Sequence, residues 1–262
     1  MKSHRLWLNL LTLLAMLVLG RKTATAETAT NAFKFDDFLI VPLRFHLLTA
    51  KDAPQLATTL TEKDITRILG KMNGVWAQAG VHFYRESLVQ EEAEKQELYS
   101  EPSKLEGLPW VLELRPAATR GERLFNLYYI KQMTPNGVHF TEAIFVKDTA
   151  SLHEVAGGID EPLPRVSSHE LGHAFSLPHR QNVTNLMASG TTGTTLNAEE
   201  IAQARAAARK LDWIETASVV LQQADALYRA KKTKEARALY ERLALLPLKT
   251  EPVERARKRA GR

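Results

Sequence analysis

The chain has 262 residues, 44% of them hydrophobic and 25% charged, with no cysteine. This composition fits a folded globular protein and excludes a collagen-like chain, a disulfide-stapled miniprotein, a thiol nucleophile, a thiolate metal site and an iron–sulfur cluster. The formal net charge of +5 is concentrated at the ends, since Lys2, Arg5, Arg21 and Lys22 precede the first acid and residues 251–262 are again base-rich, so the charge makes no case for nucleic-acid binding.

Lys2 and Arg5 lead into an apolar run, 6–20, followed by Ala24-Thr25-Ala26. A basic start, a short apolar segment and small residues before a cut describe a secretory signal peptide over 1–26. The run is shorter than the ~20 residues a spanning helix needs. The mature chain is therefore expected to be secreted or periplasmic, with no stable membrane anchor. A main domain is expected over 27–213 and a helical segment over 214–262.

Phe38 to Leu48 is rich in β-formers and reads as a strand. Residues 61–78 place Ile65, Ile68, Leu69, Met72 and Trp76 on one helical stripe, with Thr59 or Thr61 as N-cap and Gly80 as terminator. Residues 81–88 alternate and read as a second strand; 89–106, rich in charge, reads as an exposed excursion. Residues 124–133 and 138–146 give two more strands, joined by the turn signal Pro135-Asn136-Gly137. A helix over 162–176, a loop over 182–195 and an Ala-rich helix over 197–211 follow. Strands and helices mix without strict alternation, which predicts an α+β fold with a mixed, twisted sheet. Beyond 214, two short amphipathic helices flank Lys231-Lys232-Thr233 with spacing similar to one tetratricopeptide repeat. They read as a hairpin packed on the main domain, with weak protein docking as the alternative. The basic end reads as a solvated tail.

Residues 168–179, Ser-His-Glu-Leu-Gly-His-Ala-Phe-Ser-Leu-Pro-His, carry the chemistry. On a helix, His169 and His173 share one face, with Cβ atoms about 5–6 Å apart. Both imidazoles then reach one ion at a Zn–N distance of about 2.0–2.1 Å. Glu170, rotated by about 100°, can reach a water on that ion without ligating it. His179 completes a three-nitrogen set if the helix ends between 173 and 179, as Pro178 favours by disfavouring helix at Leu177. Such a site leaves one position open, and zinc lowers the pKa of water held there from about 15.7 to roughly 7. Glu170 then serves as general base for hydrolysis of an amide.

These residues resemble the metzincin clan of zinc peptidases, whose motif is His-Glu-x-x-His-x-x-Gly-x-x-His followed by a methionine turn. The resemblance implies His169, His173 and His179 as ligands of one catalytic zinc ion and Glu170 as base. It implies a methionine turn at Asn185-Leu186-Met187-Ala188-Ser189, with Met187 as the floor beneath the imidazoles, and an extended protein or peptide substrate added to an exposed strand, for which 137–146 is the candidate. Two positions depart from the pattern. Ser176 replaces the motif glycine, where a left-handed residue costs about 1–2 kcal/mol without glycine, and Arg180 follows the third histidine, which leaves the subfamily unassigned. Ser189 offers no tyrosine ligand.

Two other readings stay open at this level. Glu199 or Glu200 in place of His179 would give a different zinc hydrolase, and a zinc-bearing non-catalytic protein could work through its helical C-terminus. His46 and His82 are expected to be packing residues, and His139 and His153 surface residues, with a place around the metal ligands as the alternative for these two. A zinc cap at Asp36-Asp37 is disfavoured.

Overall fold

The computed structural model describes residues 33–100, 109–141 and 143–261; the predicted signal peptide lies outside them. No helix among the described residues is long and apolar enough to cross a membrane.

Strand β1 (Leu39–Thr49) is the axis of a six-stranded mixed sheet. It pairs in parallel with β2 (Val81–Glu92) on one side and with β3 (Phe125–Ile130) on the other. β3 pairs in parallel with β5 (Ala143–Lys147), which carries the antiparallel edge strand β4 (Gly137–Phe140). The two-residue β6 (Glu215–Thr216) pairs antiparallel with the start of β1. β2 extends four residues into the stretch predicted as an excursion. As an edge strand it keeps one side open to water, so its charged end needs no burial.

The predicted strand over 138–146 is two strands. Thr141 stands at the break between β4 and β5. The stretch holds no glycine or proline after 137, so the reversal left no turn signal. The substrate strand predicted over 137–146 is accordingly corrected to β4 alone, because β5 is interior.

Period-two alternation sorts each strand between the two faces of the sheet. Leu39, Val41, Leu43, Phe45 and Leu47 of β1, Leu127 and Tyr129 of β3, and Ile144 and Val146 of β5 face α1 (Glu62–Trp76) and α2 (Pro162–Ala174). Thr61 caps α1: its hydroxyl accepts from the Asp64 amide while the Asp64 side chain accepts from the Thr61 amide. This reciprocal pair satisfies two orphan donors. The predicted stripe is the buried face, and Gly80 ends the segment with φ 60°. α3 (Ala198–Ala208) starts at Asn197, whose side chain caps the Glu200 amide.

The opposite face is closed in two places. Tyr128, Ile130, Ala143 and Phe145 meet Val111 and Leu114 of a 3₁₀ segment, Pro109–Leu114. Phe38 and Ile40 meet three C-terminal helices, α4 (Ala217–Arg229), α5 (Thr233–Ala244) and α6 (Glu251–Ala260). The two helices expected after 214 are α4 and α5, and the stretch read as a solvated tail forms a third helix. Val253, Ala256 and Ala260 give α6 a narrow buried stripe, and its bases lie on the rest of the surface. The three helices share one apolar cluster with the start of β1.

Candidate metal centre

α2 begins with Pro162 at a position where a missing amide costs nothing. Its buried length, 163–172, runs across the sheet. The helix ends at Ala174, two residues before the predicted limit. The Leu177 amide donates to the Gly172 carbonyl and the Ser176 amide to that of His173, both at 2.9 Å. This is a Schellman ending, in which the residue after the cap is left-handed and usually glycine. Ser176 occupies that place with φ 66°. The serine therefore follows the glycine path, at a cost of about 1–2 kcal/mol, and its carbonyl accepts from Gln203 on α3.

That ending returns the chain to the helix. The Leu177 carbonyl accepts from His173 Nδ1 at 2.8 Å. The Leu186 carbonyl, in the methionine loop, accepts from His169 Nδ1 at 2.8 Å. Each bond fixes a tautomer, with the proton on Nδ1 and a bare lone pair on Nε2. His173 Nε2 then lies 3.2 Å from His169 Nε2 and 3.0 Å from His179 Nε2. The three rings are a group able to hold a metal ion.

The spacing discriminates between a polar cluster and a cation site. His169 and His173 have no proton left to place between their Nε2 atoms, so neutral rings would set lone pair against lone pair. A proton on either would put a charge where burial opposes it; burial, with Arg165 and the other two histidines adding their charge, pushes His169 down to about 3. Three nitrogens at about 2.05 Å from a tetrahedral zinc stand about 3.3 Å apart, close to the distances found. The donor set fits a divalent cation.

The loop beneath holds Met187, fully buried. A Cβ added at Gly172 would stand 2.4 Å from its sulfur, so the helix and the methionine touch through a glycine. The Asn185 side chain accepts from the Met187 amide, and the Arg180 amide donates to the Met187 carbonyl. Glu200 is wholly buried and bonded to Arg180 Nε, Asn185 Nδ2 and the Asn197 amide. Its oxygens hold the loop after His179 against α3 and take no part in the histidine cluster. Glu199 is exposed. The reading with a glutamate as third ligand is therefore not what the chain assembles.

Glu170 is 5% exposed and faces the edge strand. A Cβ at Gly137 would lie 2.7 Å from Glu170 Oε1 and 2.6 Å from Val166 Cγ1, so glycine is what lets β4 approach the carboxyl. Burial pushes this carboxyl up to about 8, against the pull of Arg165. Arg165 itself is buried, donating to the carbonyls of Gly193 and Ala188 in the loop. Gly137 as spacer and Arg165 carry no sequence motif for these roles, and Glu200, at the N3 position of the Asn197 capping box, has a local signal that does not foretell its bonds to Arg180 and Asn185.

The remaining histidines separate by place. His46 is buried, stacked on Tyr128 at 4.1 Å and bonded to Glu91 and Asn126. His82 is buried, and its Nε2 has no partner. His153 is exposed. His139, expected at the surface, is half-buried on β4. Asp36 and Asp37 sit in a short 3₁₀ turn, Phe35–Asp37, whose Phe35 packs with the C-terminal helices.

Among solved structures the chain is similar to archaemetzincin from Methanopyrus kandleri, with 13% identity and a TM-score of 0.43 over 64% of this chain and 96% of that one. It is similar to mature mirolysin from Tannerella forsythia, solved with a cleaved peptide, at 10% identity and a TM-score of 0.41 over 66% and 98%. A zinc-dependent peptidase from Methanocorpusculum labreanum gives 12% and 0.32 over 64% and 99%. No protein-family model and no curated protein matches the chain. What the chain can do therefore follows from its own residues. The mixed sheet, the helix with its histidines and the methionine turn expected from the resemblance are all present.

Proposed function

We propose that the chain is an exported, metzincin-like zinc endopeptidase, with His169, His173 and His179 as ligands of one zinc ion and Glu170 as general base. The observation that carries this is the convergence of three Nε2 lone pairs, two of them fixed by Nδ1 bonds to carbonyls, beside a buried carboxyl.

When bound, zinc polarises a carbonyl, lowers the pKa of an attacking water and favours the carboxylate form of Glu170. The chain's own residues do the rest. The carbonyls of Leu177 and Leu186 orient two rings, which raises their basicity as ligands. Glu170 takes the proton of water as its oxygen bonds to the scissile carbon. It then delivers that proton to the leaving nitrogen as the C–N bond breaks. Arg165 supplies positive charge against the burial of Glu170. β4 is the sheet edge beside Glu170, and its free backbone side supports an extended polypeptide as substrate.

The basic, apolar and small-residue leader supports removal of 1–26 and an extracytoplasmic location. A main domain over 27–213 and a helical segment over 214–262 remain our division of the chain, with nucleic acid and a lasting membrane anchor absent from its partners.

Metal analysis and cleavage of casein or a peptide library by wild type and Glu170→Gln test the reading. The expected result is one zinc per chain in both and a kcat about 10²–10⁴ lower in the variant. Equal cleavage by both, or zinc without cleavage in wild type, overturns it; the latter favours a binding protein. N-terminal sequencing of secreted protein checks the leader, with Glu27 expected first.

A further inference from the structure

Beyond the three convergent rings, a fourth histidine belongs to this wall of the centre. β4 crosses α2 so closely that a Cβ at Gly137 would touch Val166 and Glu170. The Gly137 side of β4 therefore faces the helix. Two residues further along a strand the same side is presented again, and that residue is His139. The pairing agrees: His139 stands opposite Ile144, which packs with the α2 side of the core. Its neighbours Val138 and Phe140 pack with the other side. Along α2, the residue one turn beyond Glu170 is His173. Burial holds the His139 ring below the usual imidazole range, which keeps it neutral.

His139 is not one of the nitrogens that converge. Its ring makes no hydrogen bond among the described residues, whereas His169 and His173 each have a fixed carbonyl partner. A half-buried, neutral imidazole thus stands on the substrate-side strand next to the metal ligands, with one N–H unspent.

We propose that His139 is a catalytic residue that donates this N–H to the carbonyl oxygen of the scissile bond. The proposal rests on the peptidase reading above. As the oxygen of water bonds to the carbonyl carbon, the C=O π pair moves onto that oxygen and its charge grows. The hydrogen bond from His139 strengthens as this happens, and the imidazole keeps its proton. The proton of water goes to Glu170 and from there to the leaving nitrogen, so His139 enters and leaves each turnover neutral. A donor that gains strength with the developing charge raises kcat rather than tightening substrate binding.

Zinc content, melting temperature, kcat and KM of full-length wild type, His139→Leu and His139→Gln test this, with the affinity of a phosphinic peptide as a tetrahedral mimic read by calorimetry. Leucine removes the donor and keeps the bulk; glutamine keeps an N–H. The expected result is full zinc, an unchanged KM, a kcat lowered about 10²–10³-fold in His139→Leu, partial recovery in His139→Gln, and a parallel loss of phosphinic-peptide affinity. An unchanged kcat in the zinc-loaded leucine variant, a change confined to KM, or loss of zinc overturns the role. A leucine variant that does not fold leaves the glutamine variant to decide, where a loss equal to that of His139→Ala counts against donation. Wild type that neither binds zinc nor cleaves overturns both readings, whereas active wild type with an equally active His139→Leu overturns this one alone.

Discussion

Two polar clusters, one on each face of the sheet, are built on opposite rules. In the C-terminal helices Asp225 accepts from Tyr240 at 2.5 Å and Arg259 at 2.8 Å and stands 3.4 Å from Arg255. Donors meet acceptors, opposite charges meet, and Arg259 lies over the Tyr228 ring. On the α2 side, three nitrogens of one kind meet with no donor between two of them. The first cluster pairs its charges, although Arg255 Nε keeps no hydrogen-bond partner, and needs only packing to explain it. The second is held together against its own repulsion by the carbonyls of Leu177 and Leu186, which bind two of its rings. Complementary side chains speak for architecture; like atoms brought together by surrounding bonds speak for a cation.

The contrast can be broken by substitution. The largest effect is expected at His179→Ala, which leaves two of the proposed ligands: activity and bound zinc should both be lost, and the rise in melting temperature expected of wild type with zinc should be absent. A variant that keeps full zinc would show that the third ring is not needed. Gly137→Ala comes next. Its Cβ meets Glu170 and Val166, so β4 or Glu170 must shift, costing about 1–3 kcal/mol and lowering kcat while zinc stays. Urea unfolding and metal analysis check both halves.

His82 sharpens the comparison from outside both clusters. Burial lowers it from 6.5 to about 4, so between those values the unfolded chain binds the proton first. Its contribution is fully present above pH 6.5, falls as pH drops towards 4, and levels off below. Between pH 7.5 and 5 the loss is about 2 kcal/mol. His82→Leu should flatten the pH dependence of unfolding free energy by that amount, and an unchanged slope would show that His82 ionises freely in the fold. The smallest effect belongs to the complementary cluster. Asp225→Asn, at a half-exposed network, should cost no more than about 1 kcal/mol and leave kcat unaltered.

What sequence made legible follows from range. The α1 stripe, its Thr61 cap, the Asn197 cap and the His169–His173 pair are set within a turn or two, and residue type at short spacing dictates them. The methionine turn was legible only through the family resemblance that His169, Glu170, His173 and His179 carry, since nothing in the spacing of 185–189 dictates it. The β4–β5 reversal was not, because Thr141 gives no turn signal and the break is imposed by pairing with β3. α6 was hidden by its bases, which outnumber a stripe of only three small or branched residues. The roles of Gly137, Arg165, His139 and Glu200 depend on chain segments far apart in sequence, and no local pattern announces such meetings.

The cover over the start of β1 has a consequence for how the molecule comes to be. Phe38 and Ile40 are buried by side chains drawn from residues 217–260, and β6 pairs with β1 across a gap of about 175 residues. On a ribosome adding roughly 5–20 residues each second, those two side chains stay wet until the final helices emerge. The first strand of the described residues is thus sealed by the last of the described helices, and a nascent molecule carries an adhesive patch until they emerge.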